Sequence, residues 1–189
     1  MDAINAIYGR RSIRDYADAP PPQALIRQVI TDAVQAPNSL NRQAWTFTVM
    51  MDRDRLTGIS QAAKRFALDG GLGAIPDHLR TLLTSPTFNI FYNAPALIVI
   101  TATSPDAMVI HDCCLAAQTL MLSAHRHGLG TCWIGFAEAW LATPEARDHL
   151  GVGPDQIPVA PIIIGTPKTV PDSPGRKSPE IHWLGEVEA

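Results

Sequence analysis

Cysteine is scarce in this chain and poorly placed for chemistry: Cys113, Cys114 and Cys132 are three in number, at no metal-binding spacing. Positions 113 and 114 point in different directions on a helix, so buried reduced thiols are expected, with no metal site. No apolar run approaches the roughly twenty residues of a membrane span, and the N-terminus has no basic-then-apolar leader. A reducing cytoplasm is the expected location, without membrane association. The net charge of −3 gives no overall pull toward nucleic acid or an anionic membrane. A Ser-His-Asp or Cys-His set is also missing. His111 and Asp112 fall inside a long expected helix, in a structural role. His125 and His127 lie near that helix's C-terminus, where partial negative charge favours a cationic, capping histidine. Internal repeats and low-complexity segments are absent too.

What is present is a chain of 189 residues with 46% hydrophobic and 17% charged residues, the size and composition of one globular domain. Residues 1–9 predict a short helix stopped by Gly9. Pro20-Pro21-Pro22 introduces a second over 23–35, with Leu25, Ile26, Val29, Ile30 and Val34 on one stripe. The segment 46–51 reads as a strand and 52–66 as a helix. Glycines and prolines break 67–93 into short helix and loop. A buried strand is expected at 96–101 and the longest helix at 105–127, capped by Gly128-Leu129-Gly130. Then come a strand at 131–136, a helix at 143–150 with Thr143 as N-cap, and a buried strand at 159–164. From Pro167 onward the tail carries Pro171, Pro174 and Pro179 and cannot fold alone. Its Ile181 and Trp183 imply that it docks on something, such as a partner subunit. Strands interleaved with helices after a helical start give an α+β domain.

Four segments carry chemistry. Arg10-Arg11-Ser12-Ile13-Arg14 sets three guanidinium groups and a hydroxyl in five positions, which suits a phosphate monoester as well as a solvated basic turn. Pro37-Asn38-Ser39-Leu40-Asn41-Arg42-Gln43 offers donors and acceptors for the edge of a heteroaromatic ring. Its other reading is a helix-terminal turn that satisfies its own backbone. The glycines from Gly128 to Gly135 let backbone approach a flat ligand closely. Their G-x-G follows a helix and opens a strand, the reverse of a dinucleotide fingerprint. Arg176-Lys177 forms a second basic cluster, in the tail.

The order of these motifs resembles the nitroreductase family of FMN enzymes. The resemblance rests on Arg-Arg-Ser-x-Arg at 10–14 and Ala-Pro-x-Ser-x-Asn-x-Gln-x-Trp at 36–45. It continues through the strand from Ala94-Pro95, the helix at 112–118 running into Gly128-Leu129-Gly130, and Pro161-Ile162-Ile163-Ile164-Gly165-Thr166-Pro167. It spans nearly the whole chain and implies a single domain over 1–189. The implied fold is a central mixed, mainly antiparallel sheet surrounded by helices, with an extended arm at 167–189 exchanged in a homodimer. Two FMN sites would lie at the subunit interface.

By that resemblance Arg10, Arg11, Ser12 and Arg14 would hold the phosphate and ribityl end of FMN, with Arg176 and Lys177 closing on it. Pro37, Asn38, Ser39 and Asn41 would approach the flavin from the other subunit. Ile134 and Gly135 would lie beside the ring, a main-chain N–H facing flavin N5. Asn89 and Asn93 are both candidates for the pyrimidine edge, and Phe88, Phe91 and Tyr92 for an aromatic lid over a small-molecule acceptor or for dimer packing. The activity implied is reduction of nitroaromatics, quinones or related acceptors by NADH or NADPH through flavin N5, in ping-pong order. A dehalogenating, enone-reducing or flavin-consuming enzyme, a flavin-binding protein without turnover, and a flavin-free dimeric scaffold are the alternatives.

Overall fold

The computed structural model describes residues 2–185; Met1 of the first expected helix and positions 186–189 of the arm lie outside it. The helices are α1 (Ala3–Gly9), α2 (Gln23–Ala33), α3 (Arg53–Phe66), α4 (Asp77–Thr84), α5 (Ala107–Arg126), α6 (Gly135–Leu141) and α7 (Pro144–Leu150). The strands are β1 (Trp45–Met50), β2 (Ala96–Ala102), β3 (Gly130–Trp133) and β4 (Ile157–Gly165). They form one sheet in the order β1-β2-β4-β3, and every strand pair is antiparallel. The parallel component expected from the sequence is reduced, among the described residues, to one isolated bridge between Ser12 and Thr131.

Alternation along the central strands divides the core in two. Leu97, Val99 and Ile163 point into a layer with Leu56 and Ile59 of α3, Trp140 of α6 and Leu150 of α7. Ile98, Ile100, Ile162 and Ile164 point the other way, onto α2 and α5. Both faces are covered, so β2 and β4 read as unbroken apolar runs even though they pair antiparallel. Helix α5 is long and apolar enough to cross a membrane by length and composition. Its Val109, Cys113, Ala117 and Leu120 pack on the sheet, so that apolarity belongs to the core.

Local signals set the helix ends. The carboxylates of Asp52 and Asp106 accept N–H groups of the first turns of α3 and α5, and Thr143 does so for α7, which starts on Pro144. The strand expected at 131–136 stops at Trp133, and Gly135 opens α6. The segment 67–93 holds a π turn at Ala67–Gly71, then α4. At Gly71 a Cβ would lie 2.3 Å from the Phe66 ring and would displace it, while Gly70 holds the turn's left-handed position with φ of 97°. Cys113 and Cys132 are buried, whereas Cys114 is exposed, against the expectation that all three would be inside.

Candidate functional site

Residues 10–17 form a strap along the outer edge of β3. Ile13 N–H donates to Thr131 O at 3.0 Å, Ala17 N–H to Thr166 O at 2.8 Å, and Lys168 N–H to Asp15 O at 3.0 Å. The buried Tyr16 hydroxyl donates to Ile13 O at 2.6 Å, and burial pushes its pKa well up. Ile13 and Tyr16 thus anchor the strap inward and leave Arg10, Ser12 and Arg14 outside the core. The approach is close: a Cβ on Gly130 would lie 2.6 Å from Ile13 Cγ1. Cys132 lies beneath the strap. Burial raises its thiol pKa, opposed in part by Arg14, Ser12 and Arg10.

The strap gathers cations. Burial lowers the Arg10 pKa, and Arg176 and Arg11 lower it further, so the tail arginine comes back to the first loop. Arg11 turns away, donating from Nη1 to Tyr8 O at 2.7 Å and Arg10 O at 2.9 Å, at the end of α1. Among the described residues Arg10, Arg11, Arg14, Arg176 and Lys177 form no ion pair with a carboxylate. Lys177 is exposed. A cavity of about 230 Å³ opens between Arg10, His125, the glycine turn and Pro167. Thr131 lines it, and the buried Thr131 Oγ1 has no hydrogen-bond partner. Burial and then Arg10 and Arg11 lower the His125 pKa, and the residue at the C-cap of α5 is His127.

The Arg14 guanidinium sits over the Tyr92 ring, 5.7 Å from its centroid. Tyr92 meets Phe88 edge to face with centroids 5.8 Å apart. Phe91 is only 1% exposed and packs inside, so its side chain is removed from any lid surface. Tyr92 and Asn93 both hold left-handed backbone, each with φ of 52°, a conformation costly for tyrosine and readily adopted by asparagine. The two asparagines differ: Asn89 Oδ1 accepts Phe91 N–H at 2.8 Å, while Asn93 is exposed.

The second polar loop is held against α5. Ser39 N–H donates to both oxygens of the buried Asp112 carboxylate, and Arg42 pairs with Asp106 at 2.8 Å. Asn38 Oδ1 accepts Gln43 N–H at 2.9 Å. Leu40, Asn41 and Gln43 are all left-handed, and Leu40 is 91% exposed. The turn does satisfy its own backbone, yet the exposed Pro37 and Asn41 and the half-buried Ser39 remain at its surface. Asp112 and His125 lie thirteen residues apart on one helix, so the two polar regions stand roughly 20 Å apart along α5.

At the third segment Ile134 is buried and its N–H donates to Pro161 O at 2.8 Å. Gly135 is exposed at the first turn of α6, where N–H groups have no partner within the helix. The Trp133 indole N–H is held by the Glu138 carboxylate. Among the described residues no three His, Cys, Asp or Glu side chains group to hold a metal ion.

The model of the family described as "Nitroreductase family" matches residues 7–166. A protein of Archaeoglobus fulgidus, named provisionally as an NADH dehydrogenase/NAD(P)H nitroreductase, is 28% identical over 177 residues, 90% of this chain and 88% of its own length. The fold resembles that of a nitroreductase with bound FMN from Bacteroides fragilis, with a TM-score of 0.84 and 22% identity over 98% of this chain and 100% of that one. It also resembles the FMN-dependent nitroreductase NfnB from Mycobacterium smegmatis in complex with NADPH, at a TM-score of 0.69 and 24% identity over 94% and 98% of the two chains.

Proposed function

This chain belongs to the nitroreductase family, and from that premise we propose an FMN-dependent oxidoreductase that uses NADH or NADPH to reduce nitroaromatic, quinone or related acceptors. The observation that carries the reading is Arg10, crowded by Arg176 and Arg11 with no carboxylate partner among the described residues, at a cavity that Thr131 also lines. Buried or crowded cations without counter-ions are costly, and a phosphate monoester supplies the missing charge and acceptors. FMN has that phosphate, and the residues fit it.

Arg10 and Arg176 would take the phosphate, with Lys177 at its outer side. Arg11, with its guanidinium turned onto α1, would contribute through its position in the strap and its charge. Ser12 would reach the ribityl chain, and Arg14 would lie at the ring end, over Tyr92. Of the two residues expected beside the ring, Ile134 has its N–H committed to Pro161, which leaves the Gly135 N–H as the donor toward N5. Bound there, FMN would supply the redox chemistry, taking a hydride at N5 from NAD(P)H and passing electrons to the acceptor in a second, separate encounter. The chain's own contribution is then to orient the ring, to offer dipoles and cations to its reduced form, and to place Phe88 and Tyr92 near the open face.

A homodimer completes this reading. The second loop stands roughly 20 Å along α5 from the strap's cavity, and Pro37, Asn38, Ser39 and Asn41 would reach the partner's flavin. Exposed apolar side chains on α1 (Ile4, Ile7, Tyr8) and α5 (Met108, Leu115) support a covered face there. The tail beyond Thr169 is exposed throughout its described length, with Ile181 and Trp183 open. Among the described residues β1 is an edge of the sheet, beside a groove lined by Ile26, Ile30, Val34 and Phe47 with Gln23, Arg27 and Thr31, a place for the partner's arm. Three unpaired thiols suit a reducing cytoplasm.

A visible spectrum of the purified protein tests the reading. FMN absorption that bleaches on addition of NADH or NADPH and returns with a nitroaromatic or quinone is expected. A protein that takes up no FMN overturns it, and bound FMN that NAD(P)H cannot reduce leaves only the flavin-binding alternative.

A further inference from the structure

The cavity behind the strap contains one titratable group without a role so far. His125 reaches it from the last turn of α5, and its Nε2 lies over Gly9: a Cβ there would come within 2.7 Å of that nitrogen. Among the described residues the imidazole has no hydrogen-bond or ion-pair partner; of the helix's two late histidines, His127 is the one placed near a carboxylate, 3.7 Å from Asp32. What faces His125 is positive. Arg10 and Arg11 approach from the loop after α1, and Arg176 of the tail adds to the charge at Arg10, while Arg126, next on the same helix, is exposed and lies outside the cavity's lining. The remaining lining residues, Ile13, Gly128 to Thr131, Pro167 and Val170, are uncharged.

An unpartnered imidazole beside two arginines at the wall of a cavity completes a set of donors for an anion. We propose that His125 is a ligand of the phosphate monoester held by the strap, beside Arg10 at the wall of the same cavity. This rests on the FMN reading above and deepens it by giving the phosphate a seat within one subunit. In the free protein, burial and the two arginines disfavour the imidazolium. A phosphate dianion in the cavity reverses the local potential and favours the imidazolium. FMN binding therefore takes up a proton, and affinity falls as pH rises through the pKa that His125 has in the complex.

The test is FMN titration of the wild-type holoprotein after flavin removal and of His125→Gln, each at pH 6.5 and pH 8.5, with riboflavin as the ligand lacking phosphate. We expect His125→Gln to bind FMN about tenfold more weakly than wild type at pH 6.5, the scale of one charge-assisted hydrogen bond, and to converge with it at pH 8.5. Riboflavin affinity should be the same in both proteins, which also reports that the variant is folded. Calorimetry on the wild type at pH 7.5, in two buffers of different ionisation enthalpy, should show proton uptake with FMN and none with riboflavin. Equal pH profiles for the two proteins, or no proton uptake, overturn the role of His125. Failure of both proteins to bind FMN at either pH overturns the FMN reading instead.

Discussion

The backbone N–H of Ser39 points at both carboxylate oxygens of Asp112, 3.0 and 3.1 Å away, although the residues are 73 positions apart in the chain. One buried side chain on α5 thereby fixes a loop with three left-handed residues. The loop's shape depends on a group that makes no contact with any ligand proposed for it.

Asp112→Ala is expected to lower stability by about 1–3 kcal/mol, since Ser39 N–H loses its partner in a half-buried setting. FMN affinity should fall with it as the second loop loosens. Thermal unfolding with and without FMN checks both, and an unchanged melting temperature in the apoprotein would show that the Ser39 contact does not hold the loop.

Arg10→Ala is expected to weaken FMN binding by about 1–3 kcal/mol, the usual cost of losing a charge-assisted hydrogen bond. Riboflavin binding should change little. Flavin fluorescence titration measures both ligands, and equal losses for the two would place Arg10 away from the phosphate.

Gly130→Ala forces a methyl group against Ile13 at 2.6 Å and should destabilise the protein by about 1–3 kcal/mol through overpacking. Adding Ile13→Ala makes room, so the two changes together should cost less than their sum. A double-mutant cycle in urea measures this coupling, and strict additivity would mean that the strap shifts freely along β3.

Asp32 joins α2 to α5 by accepting a hydrogen bond from Ser123, and this bond is the largest cause of its lowered pKa. A carboxylate with a depressed folded-state pKa contributes stability above its unfolded value, and that contribution is lost as pH falls through the folded value. Asp32→Asn should therefore be less stable than wild type at pH 7, with the gap closing below about pH 4, the ordinary carboxylate range. Urea midpoints at pH 7 and pH 3 test the sign. A gap that widens in acid would contradict it.

The sequence makes the frame of the fold readable because burial writes itself into composition. β2 and β4 are continuous apolar runs, and Asp52, Pro144 and the Gly128 turn mark helix ends by local chemistry. The strand expected at 131–136 fails because Thr131-Cys132-Trp133-Ile134 runs into Phe136 without a polar break, and nothing nearby distinguishes a strand glycine from one that opens a helix. Site residues follow the same divide. The strap is visible as a charge cluster, but the turning of Arg11 onto Tyr8 O and the meeting of Arg14 with Tyr92 depend on packing across the chain. The basic setting of His125 was hidden for the same reason. A helix C-terminus predicts a cationic histidine, and only the fold brings Arg10 and Arg11 beside it.

Helix α5 carries the strap's cavity near one end and the second loop near the other, so in the homodimer proposed above each protomer would own the halves of two different sites. Inactivity caused in one half is then complemented by a neighbour damaged in the other. Mixed dimers of an Arg10→Ala chain and an Asn41→Ala chain would contain one site with both lesions and one with neither. Combining two defective preparations by subunit exchange should restore about half the sites of the mixed dimers, a form of intragenic complementation set by the length of a single helix.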